Sequence, residues 1–348
     1  MAQGKERSGS RIREITSLAT QLIRLQEEQE PENSERWGFN DGGAGNEHFK
    51  IQQAAIWVAT SVDFSKDYAI FQQYSKQHQN LLLRCLVIFQ TLDGAVIDSV
   101  ATKMFLLAPN LSMKLPYTIQ IYMEAVHSQS YDLQLRALVK DDRERTRLLK
   151  EADGHEWITR YINYDKKHIL ESNDDEIYML AAQASLEGIG FIALFSIIFY
   201  FKYHPTLKDV EGITASNTYI ARDESAHRDY AVYRIRELLK TYTPEEIPVV
   251  LARVQSLVLE LVNVVESAIP TILPENLEDL TQQQLIDNTR YTADLLLEDI
   301  GMPRHYNAPL ALNYMRNLGT SRKTNMYERE TTEYSHNDIH DPTDADDF

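Results

Sequence analysis

The chain has 348 residues, 43% of them hydrophobic and 25% charged, enough apolar material to bury one large core or two modest ones. Its formal net charge of −17 has the wrong sign for general binding to nucleic acid or an anionic membrane, so neither is expected as a partner. The lone cysteine, Cys85, excludes an internal disulfide scaffold and a zinc site built on paired thiols; with a polar N-terminus lacking a signal-peptide core, it makes a cytoplasmic location the expectation.

Residues 1–45 read as an arm. Ile12, Ile15, Leu18, Leu22 and Leu25 recur at helical spacing and predict one short amphipathic helix. The string "EQEPENSERWGFNDGGAGNE" follows, rich in Gly, Pro, Asn and charge, and reads as a loop. Residues 46–320 make the main domain, with long helical segments at about 78–104, 114–140, 171–203, 208–240, 244–268 and 281–300. The most apolar stretch, Ile189 to Tyr203, falls short of the roughly 20 residues of a membrane helix, and Glu187 stands just before it, so it reads as a buried core helix. Period-2 runs with hairpin turns are missing and no fixed repeat is visible, so the expected fold class is all-α. Residues 321–348 read as a flexible acidic tail, poor in apolar residues until Phe348 and unable to fold alone.

Two of the helical segments share a spacing. "YMEAVHSQSY" holds Glu124 and His127, and "ARDESAHRDY" holds Glu224 and His227. Residues at i and i+3 of a helix project from one face, so each pair can grip one metal ion. A single Glu-x-x-His is weak evidence, since a solvated salt bridge or a core histidine would give the same string. Two further acids change the weighing. Asp93 interrupts the apolar register of "VIFQTLDGAVIDSV", and Glu187 sits in "LAAQASLEGIGFIALF", where a carboxylate is costly unless protonated, paired or metal-bound. Asp93 could instead be a turn residue before Gly94, and Glu187 a buried acid paired with an arginine. Together the six residues fit a helical bundle with a di-metal carboxylate site, one acid from each of two helices and Glu-x-x-His from each of two others. Four carboxylates balance two divalent cations, and oxygen-rich ligands with one imidazole per metal suit iron or manganese better than zinc.

The order Trp57, Asp93, Glu124, His127, Tyr131, Glu187, Glu224, His227 resembles the small subunit of class I ribonucleotide reductases, in its eukaryotic and viral form, over about residues 50–348. "IWVATSVDFSKD", "LEGIGF", "GITASNTYIARDESAH", "KTNMYERETTEY" and the closing "DADDF" carry the same resemblance. It implies a ferritin-like bundle holding two iron ions per chain, or manganese, at Asp93, Glu124, His127, Glu187, Glu224 and His227. It implies that dioxygen and an electron donor generate a radical on Tyr131, shielded by Phe191, Phe195 and Ile220. Trp57, Asp223 and His127 match a relay of oxidising equivalents, and Tyr334 matches a tail tyrosine that passes them on. The implied partners are a second copy of the chain, as a homodimer, and a large subunit that docks the C-terminal tail and carries the nucleotide chemistry, for which a lone Cys85 supplies no dithiol. Blander readings stay open for each residue: Tyr131 as a packed aromatic, the phenylalanines as ordinary core, Asp223 as a partner of Arg222 or Arg228, the tail as a solubilising segment. A di-iron oxygenase or ferritin-like iron oxidase would use the same six ligands, and a metal-free helical interaction protein is the rival of another class.

Overall fold

The computed structural model describes residues 44–316, with the side chains of Ala44 and of residues 93–96 outside the described set. Among the described residues, eleven α-helices of five residues or more follow in order: α1 (Ala44–Ala54), α2 (Asp67–Phe71), α3 (Lys76–Ser99), α4 (Leu111–Leu138), α5 (Asp142–Asp153), α6 (Glu156–Asp165), α7 (Glu176–Ser185), α8 (Ile192–Tyr203), α9 (Glu211–Leu239), α10 (Ile247–Ile272) and α11 (Gln282–Ile300). Wider π turns extend α3 at Val100–Met104 and α6 at Lys166–Leu170, and one joins α7 to α8 at Leu186–Gly190. Among the described residues there is no strand, which agrees with the all-α reading. The six long predicted segments correspond to α3, α4, α7 with α8, α9, α10 and α11. The loop read before residue 47 ends early, because Ala44–Glu47 already belong to α1. There Gly45 lies against the Ser112 carbonyl so closely that a Cβ would stand 2.2 Å from it.

Four helical runs close a bundle: α3 packs on α4, α4 on α9, α9 on α7 and α8, and α8 back on α3. Helix α1 covers α4, and α10 and α11 pack outside α7. Helix α8 is buried nearly all round, from Ile192 to Phe201, because its sequence is apolar on every face. The length argument against a membrane helix needs correction here. Counting the π turn, Glu176–Tyr203 is one run of 28 residues, and with Lys76–Leu107 and Ile247–Ile272 it is long and apolar enough to cross a membrane. In this fold 89% of its most apolar window is buried inside the protein.

Helix ends are held by side chains, some from far away in sequence. Thr281 and Gln284 form a reciprocal capping box on α11, and Gly301, at φ 105°, closes its other end. Asp67 accepts the Gly212 and Ile213 amides at 3.2 and 2.9 Å, capping α9 across 145 positions. Gly212 is required for that approach, since a Cβ would stand 2.5 Å from the Asp63 carbonyl. Burial pushes the Asp67 carboxyl up to about 7, against the pull of those two amides. Asp294 on α11, fully buried, accepts the amides of His305, Tyr306 and Ala308 at 2.8, 2.8 and 3.0 Å. It thereby fastens the segment after α11 to the bundle.

Candidate metal centre and its aromatic surroundings

Helices α4, α9 and the π turn between α7 and α8 aim five of the six expected ligands at one point inside the bundle. One donor atom each from Glu124, Glu187, Glu224 and His227 lies within 4.8 Å of the others, and all four residues are buried. The His127 Nδ1 atom stands 3.5 Å from Glu124 Oε2 and 3.2 Å from Glu224 Oε1. The His227 Nδ1 atom stands 3.2 Å from both Glu124 Oε1 and Glu224 Oε2, and 3.7 Å from Glu187 Oε2. Each Glu-x-x-His pair thus faces the centre from its own helix, as the i, i+3 spacing requires. The backbone of Asp93 lies on α3, a wall of the same bundle, and its side chain is outside the described set.

Three carboxylates and two imidazoles buried together need a compensating charge. As protonated groups they compensate one another. Burial alone would lower the two histidines, yet Asp223, Glu124 and Glu224 around His127, and Glu124, Glu187 and Glu224 around His227, outweigh it and hold both imidazoles well above their ordinary value. Glu187 is driven up by burial and by the neighbouring Glu224 and Glu124 charges. Glu224 goes down, because His127 and His227 overcome its burial. Hydrogen bonding is incomplete, however. Glu124 Oε1 and His127 Nδ1 are buried without a hydrogen-bond partner, despite the short distances around them. Atoms aimed at a shared centre, instead of at each other, have this geometry, and a cation there would satisfy them all. The donor set therefore fits one or two divalent metals of the iron or manganese type.

The next layer fixes the ligands. Gln120 Nε2 donates to Glu187 Oε1 at 2.6 Å, and its own carbonyl accepts from Gln183 Nε2 at 3.1 Å. The arginine expected as a bland partner for Glu187 is absent from its hydrogen bonds. Asp223 Oδ2 accepts from Trp57 Nε1 at 2.7 Å and lies 3.1 Å from His127 Nε2, so Trp57, Asp223 and His127 are in line. Its Oδ1 accepts from Arg222 Nε and Nη2 at 3.2 and 3.0 Å, so the arginine reading of Asp223 holds as well, for Arg222. Arg222 also donates to the Ala55 carbonyl, which fastens the segment bearing Trp57 to α9. Arg228 pairs elsewhere, with Asp229 and Asp299.

Tyr131 is fully buried on α4, one turn beyond His127. The ring stacked on it is Phe89 of α3, with centroids 4.6 Å apart and planes at 10°. Phe191 and Phe195 pack on Phe89, at 5.7 and 5.0 Å, and Ile220 is fully buried on α9. Sequence reasoning missed Phe89 and Gln120. The available signals were their positions, Phe89 one turn before Asp93 and Gln120 one turn before Glu124. Tyr334, Phe348, the predicted helix at Ile12–Leu25 and the acidic tail lie outside the described residues.

A profile of the family described as "Ribonucleotide reductase, small chain" matches residues 45–313. The ribonucleoside-diphosphate reductase small chain of Yaba-like disease virus is 27% identical over 82% of this chain and 85% of its own length. That of Plasmodium falciparum (isolate Dd2) is 29% identical over 82% and 79%, and that of Nicotiana tabacum 27% over 83% and 84%. Among solved structures, dimanganese(II)-NrdF of Streptococcus sanguinis superposes with a TM-score of 0.74 at 16% identity, covering 83% of this chain and 99% of that one. The Rnr4 homodimer of Saccharomyces cerevisiae gives 0.68 at 21%, covering 80% and 86%. These likenesses in structure establish the ferritin-like fold.

Proposed function

The chain belongs to the ribonucleotide reductase small-chain family, and from that premise we propose that it holds a di-iron centre and generates a tyrosyl radical for a large subunit that reduces ribonucleotides. The observation that carries the proposal is the convergence of Glu124, Glu187, Glu224, His127 and His227 on one buried point, one helical turn from a buried tyrosine. Asp93, from the α3 wall, completes the proposed ligand set. Two iron ions bound there, or manganese in their place, would supply oxidising power drawn from dioxygen and a donated electron. The protein's part is arrangement. Asp223 and the carboxylates orient His127, Gln120 holds Glu187, and Phe89, Phe191, Phe195 and Ile220 keep water from Tyr131. Tyr131 gives up an electron and its phenolic proton, and Trp57, Asp223 and His127 offer a hydrogen-bonded line for moving oxidising equivalents towards the surface.

A cavity of about 20 Å³ adjoins the site, room for one water-sized molecule. So small a space supports a radical generator over an oxygenase that must seat an organic substrate. Assembly with a second copy is supported by Ile51, Ile56, Val58, Tyr68 and Tyr122, large apolar side chains exposed on α1, α2, α4 and the segment between α1 and α2. Tyr334 and the tail are proposed as the relay and anchor towards the large subunit, and the cytoplasm as the place of action. The test is anaerobic loading with ferrous iron followed by oxygen. Two irons per chain and a tyrosyl electron-paramagnetic-resonance signal are expected, with the signal lost and the iron kept in Tyr131→Phe, which removes one oxygen and little volume. A wild-type protein that binds no iron pair, or a signal unchanged in Tyr131→Phe, refutes the assignment.

A further inference from the structure

The small cavity adjoins the centre at Glu187 and Glu224. Ile192, Phe195 and Thr292 line it, together with Ser225 and Arg228 of α9. Arg228 is 5% exposed, but the carboxylates that hold its guanidinium are at the rim: Asp229 is 23% exposed and Asp299 43%. Its stem passes over Gly188, the residue after Glu187. A Cβ there would stand 2.9 Å from Arg228 Cδ and 3.3 Å from Cγ, so only glycine leaves this path open to the arginine.

The geometry points to an antechamber with a door. We infer that the cavity receives a single neutral diatomic molecule, of which dioxygen is the relevant case, on its way to the carboxylate centre, and that Arg228 opens and closes it. Three features carry this. The cavity touches two of the proposed ligands directly and is the size of one small molecule. One wall is apolar, through Ile192 and Phe195, which suits a neutral guest. Another part of the wall is a long flexible side chain, buried itself but held by an Asp299 carboxylate that is 43% exposed, so water can take over from that ion pair when it breaks. A turn of Arg228 about its stem would join the cavity to solvent without moving any helix. The ion pair with Asp299 also ties α9 to α11, and a purely structural tie would predict altered stability with unaltered access.

The inference rests on the metal reading above, and its test separates the two. Ferrous-loaded protein is mixed anaerobically with nitric oxide, a neutral stand-in for dioxygen, and formation of the iron–nitrosyl absorption is followed by stopped flow. Nitric oxide carries no charge, so changing a carboxylate does not alter its attraction to the site. Asp299→Asn should speed binding about fivefold, the scale set by one half-exposed ion pair. Gly188→Ala should speed it too, by pushing the arginine stem aside. Thr292→Ile replaces the hydroxyl with methylene and adds a methyl, fills the cavity, and should slow binding about tenfold. Equal rates in iron-replete wild type, Asp299→Asn and Thr292→Ile overturn the door while leaving the metal centre standing. Should Gly188→Ala lose iron, Asp299→Asn, whose carboxylate pairs with Arg228 and not with a proposed ligand, decides alone. Failure of the wild-type chain to take up ferrous iron overturns the metal reading, and the door with it.

Discussion

Asp223→Asn probes the arrangement at its most connected atom. In the wild type one carboxylate receives four donors: Trp57 and His127 at Oδ2, and two guanidinium nitrogens of Arg222 at Oδ1. Asparagine has one acceptor oxygen and one NH2. With its oxygen towards Trp57 and His127, its NH2 meets the Arg222 donors; turned round, it meets the indole and the imidazole. Either way two of the four bonds fail, and His127 loses the negative partner that steadies its ring. A hydrogen bond to a charged group is worth about 1.5–3 kcal/mol. Loss of such an outer partner of a metal-ligating histidine costs about 10–100-fold in metal affinity, roughly 1.4–2.7 kcal/mol. Competitive titration of ferrous iron against a chelator, without oxygen, measures it. At saturating iron the sites should still fill while nucleotide reduction with the large subunit is lost. Trp57→Phe should abolish reduction as well, but at wild-type metal affinity, because it leaves the His127 contact intact. A dissociation constant in Asp223→Asn equal to wild type would refute the orienting role; full turnover in either variant would remove that residue from the relay.

Asp294→Ala takes the acceptor from one buried amide and two half-buried ones; an unpaired buried group costs about 1–3 kcal/mol, so urea unfolding should show a loss of at least about 1 kcal/mol, and a loss near zero would mean that solvent replaces the carboxylate. Asp67 has a folded pKa of about 7, above the unfolded value near 3.9, so the stability of its neutral form is complete below about pH 4 and is lost as pH rises through 7. Wild type should therefore lose on the order of 2–4 kcal/mol relative to Asp67→Asn between pH 4 and 8, and a pH-independent difference would contradict the buried-acid account. Deleting residues 342–348 should leave the metals and the Tyr131 radical intact but end nucleotide reduction with the large subunit. The matching peptide should compete with the intact chain, less well at high salt; full turnover by the truncated protein at low subunit concentration would place the anchor on the folded body.

Much of the bundle is written in local patterns. Apolar spacing marks α3, α4 and α9, and the two Glu-x-x-His strings mark the sides of α4 and α9 that face the buried carboxylate cluster, because residues one turn apart on one helix leave a signature within four positions. Contacts made across the fold leave none. Asp67 looks like any acid in a polar stretch until α9 arrives on it, and Phe89 looks like any core residue until Tyr131 lies flat against its ring. Trp57 and Asp223 are 166 positions apart, so their bond was legible through resemblance alone. Phe191 and Phe195 entered as pocket residues through the resemblance, and both rings pack on Phe89, the ring stacked on Tyr131.

The π turn at Leu186–Gly190 sets the phase between α7 and α8. Such a turn closes its hydrogen bonds one residue wider than the α-helix around it. Losing a single residue from it would let the run continue as ordinary helix, and everything downstream would rotate by about 100°. Phe195 would turn away from Phe89, and the wall of the small cavity would turn with it. A loop absorbs a one-residue deletion by shortening, but this segment has no such slack. Its length is therefore a constraint in its own right, separate from what Glu187 and Gly188 demand of their side chains.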